Sequence, residues 1–258
     1  MTKYKKILIM GLPDAGKTYL ATRLAKLLDA THFNADFVRK KYDDWDFSEE
    51  GRERQAQRMH DLAEEYKEKQ HVVADFICPL KKYREIFDAD LVIWMDTKSS
   101  SKYEDTDKIF EAPTNADIVI STFGQGDIQA RLIAKKILGT EWDNQAPTVQ
   151  LLGRWQPWHA GHRALFDRAF PKTGQVCIML RDLKDEKNPF TFEERIKLIE
   201  KNLADLYQYK RDYQVLFVPN ITNITYGRKV GYTIEQESFD ESTENISATK
   251  IREDMKEK

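Results

Sequence analysis

The stretch Ile7-Leu-Ile-Met-Gly-Leu-Pro-Asp-Ala-Gly-Lys-Thr18 joins a continuous apolar run to a G-x-x-x-x-G-K-T loop. Behind the loop, apolar side chains recur at helical spacing at Leu20, Leu24, Leu27 and Leu28. A strand, a glycine loop and an amphipathic helix in this order form a cradle of backbone N–H groups for phosphate. The stretch therefore predicts an α/β nucleotide-binding fold and not a purely structural turn.

The loop supplies the first set of candidate site residues. Those predicted to bind nucleotide are Gly11, Leu12, Pro13, Asp14, Ala15, Gly16, Lys17 and Thr18. Lys17 is expected to reach the β- and γ-phosphates of ATP as a catalytic residue, and the Thr18 hydroxyl to bind Mg²⁺. Asp36 lies where a second strand should end, and Asp75 closes the next one. One carboxylate would suit an acceptor hydroxyl and the other the metal, yet either could be a helix cap or a surface residue.

The rest of the chain repeats this alternation. Short continuous apolar runs predict strands that are buried on both faces of a parallel sheet; they span 7–10, 72–74, 91–95, 118–120, 149–152, 176–180 and 215–218. Helices are predicted over 49–69, which is polar and should face solvent, and over 127–138, 163–170 and 192–206, with a last one beginning near Ser247. The pattern predicts two doubly wound α/β domains, 1–139 and 148–258, joined by a polar linker at 140–147.

Composition limits the function classes. The 258 residues are 41% hydrophobic and 33% charged with a net charge of −2, which is typical of a globular protein without a general nucleic-acid or membrane surface. Cys78 and Cys177 stand in apolar contexts and are expected to be buried thiols. No signal-like stretch and no run of roughly 20 apolar residues is present, so a cytoplasmic protein is expected.

Five blocks of the first half occur in a family-like order. After the glycine loop they are Phe33-Asn-Ala-Asp-Phe-Val-Arg39, Phe47-Ser-Glu-Glu-Gly-Arg-Glu-Arg54, Ala74-Asp-Phe-Ile-Cys-Pro79 and Phe110-Glu-Ala-Pro113. Together they resemble adenylyl-sulfate kinases over roughly 4–138. The resemblance implies a P-loop kinase that places the γ-phosphate of ATP on a ribose hydroxyl of a nucleotide-like acceptor. It also implies that Asp36 orients that hydroxyl and that Arg39 contacts the anionic group of the acceptor.

Three sites depart from the pattern of that family. Asn34 stands where the family usually has Asp, and Asp14 lies in the phosphate loop where Gly or Ser is common. Lys81 and Lys82 replace an aromatic–arginine pair. An acidic side chain at position 14 must point away from the phosphates or weaken their binding. These departures leave the kinase class as expected and the identity of its acceptor open.

A second motif, Gly153-Arg-Trp-Gln-Pro-Trp-His-Ala-Gly-His162, follows another predicted strand and holds two of the five histidines. Imidazoles at a helix N-terminus can donate hydrogen bonds to an α-phosphate and to departing pyrophosphate. A zinc site lacks a third nearby ligand, and the run at a strand end favours an exposed, tightly turned loop over core histidines. Trp155 is expected in the core, whereas Trp158 would fill the core or stack on a base.

His159-Ala-Gly-His162 resembles the H-x-G-H signature of the nucleotidylyltransferase superfamily, and Ile246-Ser-Ala-Thr-Lys-Ile-Arg252 resembles its distal I-S-x-T-x-I-R block. With Asn188-Pro-Phe-Thr-Phe-Glu-Glu-Arg-Ile196 and Gly231-Tyr232, roughly 148–253 is most similar to archaeal-type nicotinamide-mononucleotide adenylyltransferases. The resemblance implies catalysis by His159 and His162. The residues it implies for nucleotide binding are Gly153, Arg154, His159, His162, Ser247, Thr249, Lys250 and Arg252.

The combined expectation is a P-loop kinase followed by a Rossmann-like nucleotidylyltransferase, a bifunctional enzyme that uses Mg²⁺ and ATP, with CTP as the alternative in the second domain. Its expected partners are nucleotides and a phosphorylated or anionic acceptor, with no nucleic acid and no membrane. Three alternatives stay open. They are a cytidylyltransferase–kinase that makes a CDP-linked metabolite, sulfate activation, and a nucleotide sensor that binds without turnover.

Overall fold

The computed structural model describes residues 4–225, 227, 231–249 and 251–252. The chain divides into two compact units, Met1–Gly139 and Thr140–Lys258. Each unit is built on a parallel sheet with helices between the strands, which confirms the predicted α/β class. Within the part of the chain that the structure describes, no helix has both the length and the apolar character that a membrane crossing requires.

The first unit has a five-stranded parallel sheet. Its strands are β1 Lys6–Met10, β2 Thr31–Asn34, β3 Val72–Asp75, β4 Leu91–Met95 and β5 Ile118–Ile120, in the order β2-β3-β1-β4-β5. Asn34 pairs in register with Asp75, and Asp75 pairs with Ile9. The carboxyl ends of the three strands β2, β3 and β1 therefore meet at one edge of the sheet, beside the loop that follows β1.

Helices cover both faces of this sheet. They are α1 Lys17–Leu28, α2 Ala35–Lys41, α3 Glu49–Lys67, α4 Lys81–Phe87, α5 Glu104–Ile109 and α6 Gly126–Leu138. Successive residues of a strand point to opposite faces. Ile7 and Ile9 of β1 accordingly pack with Leu20 and Leu24 of α1. Leu8 and Met10 lie in the second core cluster, on the other side of the sheet, with Met59 and Phe87. The first unit is therefore doubly wound, as predicted.

The helix over residues 49–69 was predicted to face solvent, and this is wrong for one of its faces. α3 buries Gly51, Gln55, Ala56, Met59 and Ala63. Most of these side chains are small, so they contribute little to a hydrophobic pattern, yet they let the helix pack closely on the sheet. The amide of Gln55 is satisfied by donating to the carbonyl oxygen of Ala35 at 3.2 Å.

The second unit has a three-stranded parallel sheet. Its elements are β6 Val149–Gly153, α7 Ala160–Thr173, β7 Val176–Arg181, α8 Phe192–Leu203, β8 Tyr213–Val218 and the short α9 Glu241–Glu244, with strand order β6-β7-β8. Residues 248–249 and 251–252 are also helical. Phe166 and Phe170 of α7 pack on Tyr207, with ring centroids 4.7 and 4.9 Å away.

Segment 140–147, predicted as a linker, has no helix or strand and is attached to the second unit. The Gln175 side chain donates to the carbonyl oxygens of Asp143 at 2.7 Å and Ala146 at 3.4 Å. Both cysteines, Cys78 and Cys177, are free and buried, as predicted.

Candidate active sites

The turn between β1 and α1 passes so close to β4 that its first residue must be glycine. Gly11 has φ +140°, and a Cβ there would lie 2.5 Å from the Met95 carbonyl oxygen. Gly16, at φ +91°, caps α1 without any described side chain bonding to the helix terminus. The first N–H groups of α1 thus stay available to a ligand, which is the arrangement that binds phosphate.

Lys17 lies inside this turn. Its ammonium donates to the Leu12 carbonyl oxygen at 2.7 Å. Burial lowers the pKa of Lys17 to about 8, and the nearby carboxylates of Asp75, Asp36 and Asp14 partly offset that effect. Asp14, the departure noted in the loop, has φ +59° and an exposed side chain. The turn therefore holds a half-buried cation near three carboxylates.

Asp75 is the centre of the polar network at this edge of the sheet. Its side chain is 1% exposed, and its Oδ2 accepts from the Thr18 hydroxyl at 2.6 Å and from the Asn34 amide at 2.9 Å. Its Oδ1 lies 2.6 Å from His32 Nε2. His32 was not among the predicted site residues. The signal for it was its position two residues before Asn34, because residues two apart on a strand share a face.

The oxygen atoms of this network suit a hard cation. Thr18 Oγ1 and Asp75 Oδ2, which lie 2.6 Å apart, are the oxygen ligands that Mg²⁺ prefers. Within the described residues, no cluster of three or more His, Cys, Asp or Glu side chains could enclose a metal ion. Mg²⁺ usually takes one or two carboxylates and completes its shell with phosphates and water, so the donor set fits it.

Strand β2 was predicted to end at Asp36, but it ends two residues earlier, at Asn34. Asn34 caps α2, since its Oδ1 accepts from the N–H groups of Asp36 and Phe37, both at 3.1 Å. Asp36 therefore lies in the first turn of α2, where it is exposed. From there it lines the same cavity as Lys17, Thr18 and Asp75.

That cavity has a volume of about 890 Å³ and opens beside the phosphate turn. Aromatic side chains form much of its wall, namely Trp45, Phe47, Phe76, Tyr83 and Tyr103. Its size falls in the range of small-molecule sites, and flat aromatic walls suit a nucleobase. This cavity is lined by all five residues of the first unit that were predicted to act through their side chains. They are Lys17, Thr18, Asp36, Arg39 and Asp75.

Two arginines border the cavity. Arg39, predicted to contact the acceptor, is buried and donates to the carbonyl oxygens of Asp44 at 3.0 Å and Asp46 at 2.9 Å. Its guanidinium also lies 4.6 Å from the Phe47 ring centroid. Arg52, which was not predicted, reaches Asp105 of α5 at 3.1 Å. Arg39 thus supports the cavity wall, and Arg52 adds a second cation to it.

In the second unit, the two histidines stack on each other at the start of α7. Their ring centroids are 3.6 Å apart. His159 caps the helix, and its Nδ1 accepts from the Gly161 N–H at 3.2 Å. In the neutral ring this leaves Nε2 as the donor. Burial lowers the pKa of His159, and burial together with His159 lowers the pKa of His162 to about 3. These shifts favour the neutral form of both rings.

The loop before α7 was predicted to be exposed, but residues 155–158 are buried. Trp158 is 3% exposed, and Trp155 lies in the core as predicted, where it donates to the Met179 carbonyl oxygen at 3.0 Å. The two indoles pack beside His162 with ring centroids 5.5 and 4.7 Å away, and this packing buries the turn. His159 and His162 themselves are half-buried. Among the described residues, Trp158 Nε1 and His162 Nδ1 have no hydrogen-bond partner.

The distal block reaches this loop. The Arg252 guanidinium donates to the Gln156 carbonyl oxygen and, at 3.0 Å, to the Thr249 hydroxyl. Ser247 begins the terminal helical turn, where its carbonyl oxygen accepts from the Ile251 N–H at 3.0 Å. Gly153 ends β6, and the Arg154 side chain after it is exposed. Lys250, also predicted for nucleotide binding, lies outside the described residues.

Two family models match the chain. The adenylylsulphate kinase model matches residues 3–92, and the cytidylyltransferase-like model matches residues 151–225. A nicotinamide-nucleotide adenylyltransferase of Sulfurisphaera tokodaii is 35% identical over 79 residues, which are 29% of this chain and 44% of that protein. One of Methanococcus maripaludis strain C6 is 28% identical over 129 residues, 41% of this chain and 75% of that protein. The chain thus spans less than half of the first relative.

Among solved structures, the Mycobacterium tuberculosis APS kinase in complex with AMPPNP and APS is 20% identical with a TM-score of 0.46, covering 54% of this chain and all of the other. Shikimate kinase from Acinetobacter baumannii is also 20% identical, with a TM-score of 0.40, covering 54% of this chain and 95% of that one. The family models and the curated relatives confirm both predicted resemblances. Both parts of the chain are therefore related to transferase enzymes.

Proposed function

We propose that the chain is a bifunctional transferase. In the second unit, a phosphate oxygen of a small molecule attacks the α-phosphorus of a nucleoside triphosphate, and pyrophosphate leaves. In the first unit, the γ-phosphoryl group of ATP passes to a hydroxyl of a nucleotide-like acceptor, and ADP leaves. The observation that carries the proposal is that, in each unit, the phosphate turn is hydrogen-bonded to a side chain from a distant part of the sequence. The Thr18 hydroxyl donates to Asp75, and the Arg252 guanidinium donates to the Gln156 carbonyl oxygen in the loop before His159.

For the kinase reaction, positioning and charge neutralisation supply most of the catalysis. Lys17 places a positive charge inside the turn, and the α1 N-terminus directs N–H groups at the phosphates. Thr18 and Asp75 would hold Mg²⁺, which would neutralise charge on the phosphates when bound. Asp36, in the same cavity, would orient the acceptor hydroxyl and accept its proton. The aromatic walls would stack on the base of the acceptor.

For nucleotidyl transfer, negative charge develops on the α-phosphate and on the departing pyrophosphate. Neutral His159, with its proton on Nε2, would donate a hydrogen bond to this developing charge. His162, whose ring stacks on His159, would help to stabilise the same charge. The N-terminus of α7 adds a favourable partial charge. Ser247, Thr249 and Arg252 would hold the β- and γ-phosphates, while Gly153 and Arg154 would border the nucleotide and Lys250 would complete the set.

Two nucleotides compete for the second unit. The curated relatives are named nicotinamide-nucleotide adenylyltransferases, which supports ATP with a nicotinamide-mononucleotide-like acceptor. The matched family model is cytidylyltransferase-like, which supports CTP as the second candidate and a CDP-linked product. In either case the product is itself a nucleotide conjugate. We propose that this conjugate is the acceptor of the kinase unit, so that the two reactions are sequential.

The test measures pyrophosphate release by the full chain. ATP and CTP are each supplied with nicotinamide mononucleotide, with other phosphorylated small molecules and with sulfate. Release that needs one triphosphate and a phosphorylated acceptor supports the proposal and identifies the nucleotide. Release with ATP and sulfate alone would instead indicate sulfate activation. Nucleotide binding without any release or phosphoryl transfer would replace the proposal with a nucleotide sensor.

A further inference from the structure

His32 in β2 and Asp75 at the carboxyl end of β3 form an acid–imidazole pair. On the basis of the proposed kinase function, we infer that His32 is a positioning residue for phosphoryl transfer. It holds one oxygen of the Asp75 carboxylate so that the other oxygen faces Thr18 and the cation site. His32 does not touch the phosphate turn itself in the contacts of the described residues, so its effect passes through Asp75.

The hydrogen bonds divide the two carboxylate oxygens between two sides. Oδ1 of Asp75 lies 2.6 Å from His32 Nε2, and because a carboxylate only accepts, Nε2 is the donor. Oδ2 accepts from Thr18 Oγ1 at 2.6 Å and from Asn34 Nδ2 at 2.9 Å. Only Oδ2 therefore faces Thr18 and the phosphate turn, while Oδ1 faces His32.

This division matters because the last torsion of an aspartate side chain is broad and roughly two-fold. Without a partner on Oδ1, the carboxylate would be held only by the hydrogen bonds to Oδ2 and would rotate more freely about that torsion. A carboxylate that is rotated part of the way would align neither of its two equivalent oxygens with Thr18. His32 supplies the hydrogen bond on the Oδ1 side that restricts this rotation, in addition to the bonds that Thr18 and Asn34 donate to Oδ2.

The pair is also stable when a cation is bound. Asp75 is 1% exposed, and an ionised carboxylate that is buried without partners is strongly destabilised. If Oδ2 turns from the Thr18 hydroxyl to a cation, the His32 bond to Oδ1 is unaffected. Hydrogen bonds to the ligands of a metal fix their orientation, and removing them typically lowers metal affinity by about 10- to 100-fold.

Substitution at position 32 is feasible because the ring is not enclosed. The His32 side chain is 21% exposed and borders a small pocket of about 210 Å³, which Phe37 and Lys41 also line. His32→Met removes the donor but keeps a side chain of similar size. His32→Gln places an amide N–H near the position of Nε2, whereas His32→Asn is too short to reach Asp75.

The experiment measures Mn²⁺ binding to the full chain by electron paramagnetic resonance, in the presence of a non-hydrolysable ATP analogue. We expect His32→Met and His32→Asn to bind Mn²⁺ about 10-fold more weakly than the unmodified chain, and His32→Gln to bind it nearly as tightly. The same order should hold for the Mg²⁺ concentration that half-saturates phosphoryl transfer. Melting temperatures report whether each variant is folded. If His32→Met does not fold, the comparison of His32→Gln with His32→Asn still tests the inference.

The matched control is His71→Met, at the other end of the same sheet. The His71 Nδ1 accepts from the Lys5 N–H at 3.0 Å, far from the phosphate turn along the strand. This variant should leave Mn²⁺ affinity unchanged, because it loses one hydrogen bond of the sheet without touching Asp75. Equal losses of Mn²⁺ affinity in both variants would mean a general loosening of the sheet and would overturn the inference.

Asp75→Asn sets the scale. The loss from His32→Met should largely vanish in the Asp75→Asn background, because the two residues act as one unit. The inference would be overturned if His32→Met bound Mn²⁺ as tightly as the unmodified chain. It would also be overturned if His32→Met lowered Mn²⁺ affinity by the same factor in the Asp75→Asn background as in the unmodified chain. Neither result would contradict the proposed kinase. Failure of the kinase proposal would show separately, as the absence of phosphoryl transfer by the unmodified chain or as transfer that persists in Lys17→Ala.

Discussion

At the residue scale, Asn34 and Asp75 form a hydrogen-bonded pair of an amide and a buried carboxylate. The family pattern has Asp where this chain has Asn34, and here the Asn34 amide donates to Asp75 Oδ2 at 2.9 Å. An aspartate at position 34 would place a second carboxylate against a buried one. In this chain, Asn34 therefore gives Asp75 an amide donor that an aspartate at position 34 could not supply. Sequence alone could not show this, because the explanation needs the pairing of β2 with β3.

Asn34→Asp should consequently destabilise the chain. Two adjacent carboxylates repel, and the loss of the amide donor removes a hydrogen bond from a buried charge, so we expect a decrease of about 1–3 kcal/mol in unfolding free energy. The cap on α2 survives, since aspartate also accepts N–H groups. In Asn34→Asp with Asp75→Asn, one carboxylate faces one amide again, and most of the stability should return. Calorimetry measures all three variants. A stable single variant, or a double variant no better than the single, would contradict this account.

Lys17 gives a pH dependence with a defined sign. Its pKa in the folded protein is lowered to about 8, so the ammonium is charged below that pH and neutral above it. Only the charged form attracts phosphate. ATP affinity should therefore be independent of this group below pH 8 and fall as the pH rises above it. Titration calorimetry from pH 6.5 to about 9.5 measures the affinity, in a range chosen around the Lys17 pKa.

The control for this pH profile is Lys17→Ala, which should bind ATP weakly and without the inflection near pH 8. An unchanged affinity up to pH 9.5, about one unit below the ordinary lysine pKa, would show that the ammonium is not desolvated as the structure indicates. The same inflection in Lys17→Ala would assign the titration to another group.

At the element scale, most of the strands and helices were predictable, and the exceptions have physical reasons. β4 and β5 have the predicted bounds, because their runs are apolar and continuous. β2, which is Thr31-His-Phe-Asn34, has no such run, and all four of its residues are only partly buried at the sheet edge. The buried face of α3 was missed because most of its buried residues are small or polar and give little hydrophobic pattern.

The site shows the same division between local and long-range information. The phosphate turn follows from a local motif, whereas α7 begins at Ala160 and not at Arg163 as predicted, so that His162 lies in the helix. His32 and Arg52 owe their contacts to strand pairing and to helix packing, which one sequence does not display. The burial of Trp158 was also undecided in the sequence, since it depends on how the loop folds back on His162.

The β1–α1 turn carries a prediction about backbone geometry. Gly11→Ala puts a Cβ 2.5 Å from the Met95 carbonyl oxygen at a φ that side chains avoid. The turn must shift, so we expect loss of ATP binding and a decrease of about 1–3 kcal/mol in unfolding free energy. Gly124→Ala is the matched control, since Gly124 has φ +88° but open space around its Cβ. It should retain ATP binding. Equal effects of the two variants on binding would show that the close approach to Met95 is unimportant.

At the scale of the whole molecule, each compact unit contains the groups that the reaction proposed for it would use. Lys17, Thr18, Asp36 and Asp75 lie within the first unit, and His159, His162 and Arg252 lie within the second. The two activities should therefore be separable by single substitutions. A chain that joins a nucleotide to an acceptor and then phosphorylates the product would release the conjugate when only its kinase unit is disabled.

The most direct measurement follows both products by mass spectrometry. The full chain is supplied with the preferred triphosphate, ATP and a phosphorylated acceptor, and compared with Lys17→Ala and His162→Ala. We predict that the unmodified chain makes a phosphorylated conjugate and that Lys17→Ala accumulates the conjugate without the added phosphate. His162→Ala should make neither, yet should phosphorylate conjugate that is supplied to it. A phosphorylated conjugate from Lys17→Ala, or undiminished pyrophosphate release by His162→Ala, would contradict the account.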